Sequence, residues 1–223
     1  MDAYSFDGVS MNLPDSVIGA RQNMKEHLDR FSWSGLSERK KSILQAFLNI
    51  ATAEGYSAVT MRSLAKDLNI KAPSIYSHFP EGKDDIVCEC LRWHYYGFGI
   101  AILDAVKDAK SSKDFFDSMV KVHFTRQITH PESALWDLLI LSDRIGQFLR
   151  ADIRQEMQHW IALCIKLYQA VIKENGFRSD ETTVRVLMNL LDGSSTWCTW
   201  DGTNRHLEEL NNYTLEKAYS CLA

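Results

Sequence analysis

Residues 60–83 read TMRSLAKDLNIKAPSIYSHFPEGK, and this stretch decides the fold. Thr60 offers a side-chain oxygen to cap a helix whose apolar residues Met61, Leu64, Ala65 and Leu68 recur at helical spacing. Asn69 ends that helix, because after glycine asparagine most readily takes the left-handed conformation that a sharp stop requires. A second helix restarts at once. Pro73 has no N–H to lose in a first helical turn, and Ile75 and Phe79 lie four apart on its inner face. Two helices joined by so short a turn form a helix-turn-helix, the arrangement whose second helix enters the major groove of DNA.

At Thr60, Leu64-Ala65, Ile70, Ser74-Ile75-Tyr76, His78-Phe79 and Lys83 the chain resembles the T-x-x-x-I-A … G-V … T-L-Y-x-H-F-x-x-K signature of TetR-like (tetracycline-repressor-like) transcriptional regulators. The resemblance covers roughly residues 37–86. Asn69 stands where the family usually has glycine, and Pro80-Glu81-Gly82 adds one residue before the lysine, a longer turn that Gly82 can accommodate. It implies a recognition helix over 72–79, with Lys71, Ala72 and Ser74 nearest the base edges of a double-stranded operator. Tyr76 and His78 match positions that reach the phosphate backbone, and Arg62 and Lys83 would clamp neighbouring phosphates. Thr60, at the helix start, and Lys40, at the N-terminal end of the preceding helix, complete the expected DNA-binding set. The plainer alternatives are a structural aromatic at Tyr76 and a mere surface residue at Ser74; Ile75 and Phe79 read as core.

Composition is that of a soluble globular protein: 223 residues, 45% hydrophobic and 24% charged. No apolar run reaches a membrane span and no secretory signal is visible, so a cytoplasmic protein is expected. The five cysteines are scattered, without C-x-x-C spacing, and most of them read as small buried apolar residues. A net charge of −4 is unpromising for a DNA binder until it is divided along the chain. Over 37–83 there are seven Lys/Arg against four acids, a balance of +3 that leaves −7 for the remainder. A basic module on an acidic body grips phosphate with one end only.

Organisation follows from the punctuation. Residues 1–36 form an N-terminal extension with a helix over 15–31 that places Val17, Met24, Leu28 and Phe31 on one side. It reads as an arm packed on the body or, through Arg21, Lys25 or Arg30, as a DNA-contacting arm. The DNA-binding domain spans 37–83, its first helix ending at Gly55. The helical effector-binding and dimerisation domain spans 84–223, with helices near 84–106, 114–129, 132–144, 148–174, 181–199 and 204–221. The fold class is all-α: an N-terminal three-helix helix-turn-helix DNA-binding domain plus a larger helical ligand-binding and dimerisation domain.

The body is rich in aromatic residues. The resemblance implies an effector pocket there, for which Trp93, Tyr96, Phe124, Trp136 and Trp160 are the candidate lining; ordinary core is the competing reading. Leu187, Leu190, Leu191, Ser194 and Trp197, with Leu207, Leu210 and Thr214, form apolar stripes on two helices that resemble the family's dimer interface, although an intramolecular core explains the same stripes. The scattered histidines have no H-x-x-x-H or H-E-x-x-H spacing, and no G-x-S-x-G, phosphate loop or dinucleotide fingerprint occurs, so no metal, no cofactor and no enzyme is expected. Arg150, Asp152, Arg154 and Glu156 read as a solvated ion-pair face. The resemblance therefore implies a homodimeric, ligand-responsive regulator, in such families most often a repressor, released from a palindromic operator by a small apolar effector. The rival is a helix-turn-helix protein with a structural or protein-interaction role and no effector.

Overall fold

The computed structural model describes residues 13–30, 35–146 and 149–223. Among them it forms eleven α-helices and no strand. In chain order these are α1 (Asp15–Leu28), α2 (Glu38–Glu54), α3 (Met61–Asp67), α4 (Ala72–Tyr76), α5 (Lys83–Ala105), α6 (Ser112–Thr129), α7 (Glu132–Gly146), α8 (Ala151–Glu174), α9 (Glu181–Asp192), α10 (Ser194–Trp197) and α11 (Asn204–Leu222). The expected helix over 181–199 is broken at Gly193 into α9 and α10, and the Ser194 hydroxyl donates back to the Leu191 carbonyl at the break.

Local chemistry sets the helix ends around the turn. Thr60 and Ser63 form a reciprocal capping box: the Thr60 hydroxyl accepts the Ser63 N–H at 3.0 Å, and the Ser63 hydroxyl accepts the Thr60 N–H at 2.8 Å. Such a cap contributes about 1 kcal/mol. Asn69 adopts φ 51°, the left-handed conformation its side chain tolerates. The Ile70 N–H then reaches the Ala65 carbonyl at 2.9 Å and the Asn69 N–H reaches the Lys66 carbonyl at 3.1 Å, the paired bonds of a Schellman stop. Pro73 lies in the first turn of α4, where its missing N–H costs nothing. At Gly82, φ is 69° and an added Cβ would come within 3.2 Å of the Tyr76 ring, so both backbone and space call for glycine before α5.

Two apolar cores hang on α5. The first joins Leu44 and Phe47 of α2 to Leu64, Ile75 and Phe79 of the helix-turn-helix, and continues into Ile86 and Leu91 of α5, Trp136 and Leu139 of α7, and Ile153 and Met157 of α8. The second gathers Phe115, Phe116, Val120 and Phe124 of α6 with Leu167, Tyr168 and Val171 of α8, Leu187 and Leu191 of α9, and Ala218 of α11. Val17, Met24 and Leu28 of α1 belong to this second core, and their burial stabilises the helix's attachment by roughly 1.5–3 kcal/mol each. The helix over 15–31 thus ends at Leu28 and packs on the body; Phe31 lies outside the described residues.

Of the residues expected on a solvated ion-pair face, Arg150 and Asp152 do form an exposed pair at 2.7 Å, whereas Glu156 and Arg154 tie helices together. Arg92 of α5 holds Glu156 of α8 through Nε and Nη2 bonds of 2.8–2.9 Å, and also pairs with Glu89. Arg150 reaches Asp85 at 2.8 Å, and Arg154 binds Asp143 of α7 at 2.6 Å. Forked arginine–carboxylate pairs of this kind fix geometry as well as charge, so α8 is pinned to the first half of α5.

Candidate nucleic-acid interface and the helical body

The head presents a small polar surface around α4. Lys71, Ser74 and Tyr76 are exposed, His78 and Ala72 are half-buried, and Arg62 and Thr60 are exposed at the start of α3. Ile75 and Phe79 are buried, as their spacing predicts. Lys40 of α2 lies partly over the Phe79 ring, 5.3 Å from its centre. Lys71, the cap of the five-residue helix α4, and Arg62, in the first turn of α3, carry exposed positive charge on this surface.

Lys83 is placed differently from the others. Its ammonium donates to the Tyr56 carbonyl at 2.9 Å and sits 3.7 Å above the Tyr56 ring, and burial lowers its pKa. It therefore anchors the end of the helix-turn-helix to the turn after α2. Tyr56 is the partner that spacing did not point to: the two residues are 27 apart in sequence, and nothing local marks the tyrosine. Its own phenol is pushed up, first by burial and then by Asp84.

Residues 43–90 match the family model for bacterial regulatory proteins of the tetR family. The head of this chain is similar to the head of that family. Solved structures extend the likeness over the body at the level of fold. A tetR-family regulatory protein from Rhodococcus RHA1 superposes with a TM-score of 0.70 at 17% identity, covering 84% of this chain and 98% of that one. The ketosteroid transcriptional regulator KstR2 of Mycobacterium tuberculosis gives 0.67 at 16% identity, covering 84% and 96%. AibR, solved with isovaleryl coenzyme A and operator DNA, gives 0.63 at 12% identity, covering 79% and 97%. No curated protein matches the chain in sequence. The tetR-like fold is that of DNA-binding transcription regulators, and among the described residues no helix is long and apolar enough to cross a membrane.

The five aromatic residues expected to line one pocket are not brought together. Trp136 is fully buried in the first core, stacked on Phe47. Trp93 borders an open groove with Lys41, Gln45 and Asp67 on the outside of the head. Phe124 stacks on Trp197 with ring centres 5.8 Å apart. Only Tyr96 and Trp160 share a crevice, with His27, Leu28, Arg92, Tyr95 and Glu156, and its cavity volume is about 10 Å³. That is room for one water at most. The reason is α1: spacing within α5 and α8 could not show that a helix from the N-terminal extension fills the ground between them.

The body also buries a polar cluster that spacing did not reveal. His123 bonds the Tyr168 hydroxyl at 3.1 Å and the Asp192 carboxylate at 2.8 Å, and Gln127 donates to Asp137 at 2.6 Å and to the Asp192 carbonyl at 3.1 Å. Burial, reinforced by Asp192, pushes the Asp137 carboxyl up to about 7. Burial beside Arg126 and His130 pushes the His94 imidazole down to about 3.

On the last helices the expected interface residues divide. Leu187, Leu191, Ser194 and Thr214 are buried inside the protomer, which is the intramolecular reading of those stripes. Leu190, Leu207 and Leu210 are half-buried. Trp197 remains 37% exposed, and two residues outside the expected set, Val186 of α9 and Tyr213 of α11, are 51% and 50% exposed. Their signal was present in the sequence as an apolar and an aromatic residue on the polar side of each stripe.

Proposed function

We propose that this chain is a homodimeric, ligand-responsive transcriptional regulator that binds a pseudo-palindromic operator through paired heads. The observation that carries the reading is the head: a Schellman turn at Asn69 that holds α4 with Lys71, Ser74 and Tyr76 outward, on a segment matching the tetR-family model. Residues 37–83 are its DNA-binding unit and 84–223 its body. Lys71, Ala72 and Ser74 read base edges; Lys40, Thr60, Arg62, Tyr76 and His78 hold phosphates, and Lys83 keeps the turn in place behind them. Two such heads about one helical turn of DNA apart meet successive major grooves.

The exposed Val186, Trp197 and Tyr213, with half-buried Leu190 and Leu210, form the face on which a second copy seats. Repression with release by a small apolar effector is the regulation we infer; that ligand and operator can share this fold is supported by AibR, a neighbour solved with isovaleryl coenzyme A, whose acyl end alone is apolar, and operator DNA. Effector and DNA then oppose one another through a coupling of roughly 1–3 kcal/mol. Selecting bound sequences from a random duplex pool tests the reading. An inverted repeat is expected; recovery of no preferred sequence, or of an unpaired half-site only, would count against a dimeric regulator.

A further inference from the structure

The turn between α4 and α5 is braced from several directions. The Gly82 N–H donates to the carbonyl of buried Phe79 at 2.9 Å, and the Glu81 N–H donates to the Asp85 carboxylate at 2.8 Å. Asp85 is gripped in turn by Arg150 at 2.8 Å, and the next residue along, Lys83, is tied to the Tyr56 carbonyl at 2.9 Å. The backbone at Gly82 therefore has little room to retreat.

On its open side lies Tyr76. Gly82 is buried although its neighbours Pro80 and Glu81 are exposed, and it is the Tyr76 ring that covers it. A Cβ at Gly82 would come within 3.2 Å of Tyr76 Cε1 and 3.9 Å of Cζ, with Met61 Sδ 3.8 Å from the same point. The ring edge beside the hydroxyl-bearing carbon thus rests on bare backbone, while the side chain as a whole stays 46% exposed. A solvent-facing tyrosine on a helix of five residues would otherwise sample more than one staggered rotamer; contact with a braced floor favours one. Backbone conformation alone would account for a glycine at φ 69°, but not for its cover. At Gly176, φ is 79° and an added Cβ would meet nothing within 4 Å.

We propose that Gly82 is a positioning residue for DNA binding: its bare backbone, flanked by Met61, is the seat that orients the Tyr76 ring so that the phenol hydroxyl meets an operator phosphate. The last step rests on the reading of Tyr76 as a phosphate contact; the seat itself does not. The turn that is one residue longer than the family signature thereby supports the recognition helix as well as linking it to α5. A neutral phenol releases no counterion, so this contact adds affinity at every salt concentration, whereas Arg62 and Lys71 set the salt dependence.

A double-mutant cycle on the selected operator, read by fluorescence anisotropy at several salt concentrations, tests the proposal. Tyr76→Phe, which keeps the ring and removes the hydroxyl, and Gly82→Ala are each expected to weaken binding about fivefold, the effect of one hydrogen bond, with the slope of log affinity against log salt unchanged. In the Tyr76→Phe background, Gly82→Ala is expected to cost less than about twofold more. Melting temperature falls with Gly82→Ala in both backgrounds. It falls also with Gly176→Ala, which shares the positive φ and is expected to leave operator affinity unaltered. Should Gly82→Ala fail to fold, Met61→Ala reads the same seat from an ordinary helical position, and is expected to weaken binding only where Tyr76 retains its hydroxyl. Losses that multiply independently, or a salt slope reduced by about 0.9 in Gly82→Ala, would overturn the proposal by placing the effect on the fold or on the cationic contacts. With 3-fluorotyrosine incorporated, the fluorine resonance missing from Tyr76→Phe identifies residue 76 in the DNA-free protein and is expected to move in Gly82→Ala. An unmoved resonance would overturn the seat; a moved one with full operator affinity in Tyr76→Phe would overturn its role in DNA binding. Failure to select any operator would instead fail the DNA-binding reading, and the resonance would still decide the seat.

Discussion

Trp136 of α7 stacks on Phe47 of α2, ring centres 6.0 Å apart and planes 9° from parallel, so a side chain of the body completes the core of the head. The next residue, Asp137, is bonded to Gln127 within the buried polar cluster. Adjacent positions on one helix thus face the head and the polar interior of the body. A shift of α7 that rearranges one contact must disturb the other, because closely packed cores do not deform continuously.

Replacing Trp136 by alanine removes a fully buried ring and is expected to cost about 3–5 kcal/mol. Chemical denaturation monitored by circular dichroism measures it. Because the cavity opens against Phe47, the protection of α2 and α3 against hydrogen exchange should fall more than that of α9 and α11. Equal loss of protection across all four helices would mean that α7 does not bear specifically on the head.

Arg62 and Lys71 are exposed around α4, whereas the ammonium of Lys83 is engaged by Tyr56. Arg62→Ala and Lys71→Ala are therefore expected to weaken operator binding and each to reduce the slope of log affinity against log salt by about 0.9, with little change in melting temperature. Lys83→Ala is expected to lower the melting temperature while altering the salt slope less. Fluorescence anisotropy on a selected operator at several salt concentrations distinguishes the two cases; equal slopes for all three variants and the parent would remove Arg62 and Lys71 from the phosphate-contacting set.

What the sequence made legible is what depends on neighbours along the chain. The cap at Thr60, the left-handed stop at Asn69, the restart at Pro73 and the inward Ile75 and Phe79 are each governed by a few adjacent residues, and the structure places them accordingly. The contacts that organise the body are of another kind. Arg92 and Glu156 pair across 64 residues, and α1 seats on α8 from the far end of the chain. Helical spacing shows that Leu28 or Trp160 will be buried and is silent on which helix buries it. For the same reason the apolar stripe through Leu187 and Leu191 left core and interface indistinguishable until the packing of α9 on α6 and α11 was visible.

Asp137 supplies a pH dependence with a definite sign. Burial, reinforced by Asp192, raises its carboxyl to about 7, against the ordering effect of the Gln127 bond and the His123 ring; Tyr95 and Tyr168, with Cys164 behind them, are the other titratable groups around this cluster. A raised carboxyl binds its proton more tightly in the folded chain than in the unfolded one. Its contribution to stability is therefore complete below about pH 4 and is lost as pH rises through 7, at a limiting slope of about 1.4 kcal/mol per pH unit. Asp137→Asn is expected to be more stable than the parent at pH 8 and to flatten the profile between pH 5 and 8. An unchanged profile would show that the carboxylate is accommodated charged.

The division of the last helices between interior and surface separates two outcomes that the same substitution would otherwise confuse. Leu187 is fully buried in the protomer, so Leu187→Glu places an unpaired charge in the core and is expected to unfold the chain, whatever its state of association. Tyr213 stands half exposed with its ring 6.3 Å from that of Trp197, and Val186 of α9 is likewise half exposed, so Val186→Glu or Tyr213→Glu costs the isolated protomer little. If this face carries the dimer, burying on the order of 800 Å² per partner, a charge there goes unpaired only when two copies meet. Monomers with native helicity are then the expected product of either substitution, seen by light scattering over a range of concentrations and by circular dichroism. Retained helicity with an undiminished dimer mass in both variants would move the interface elsewhere. The exposed Leu138 and Leu141 of α7 form the next apolar surface on which to place the same charge.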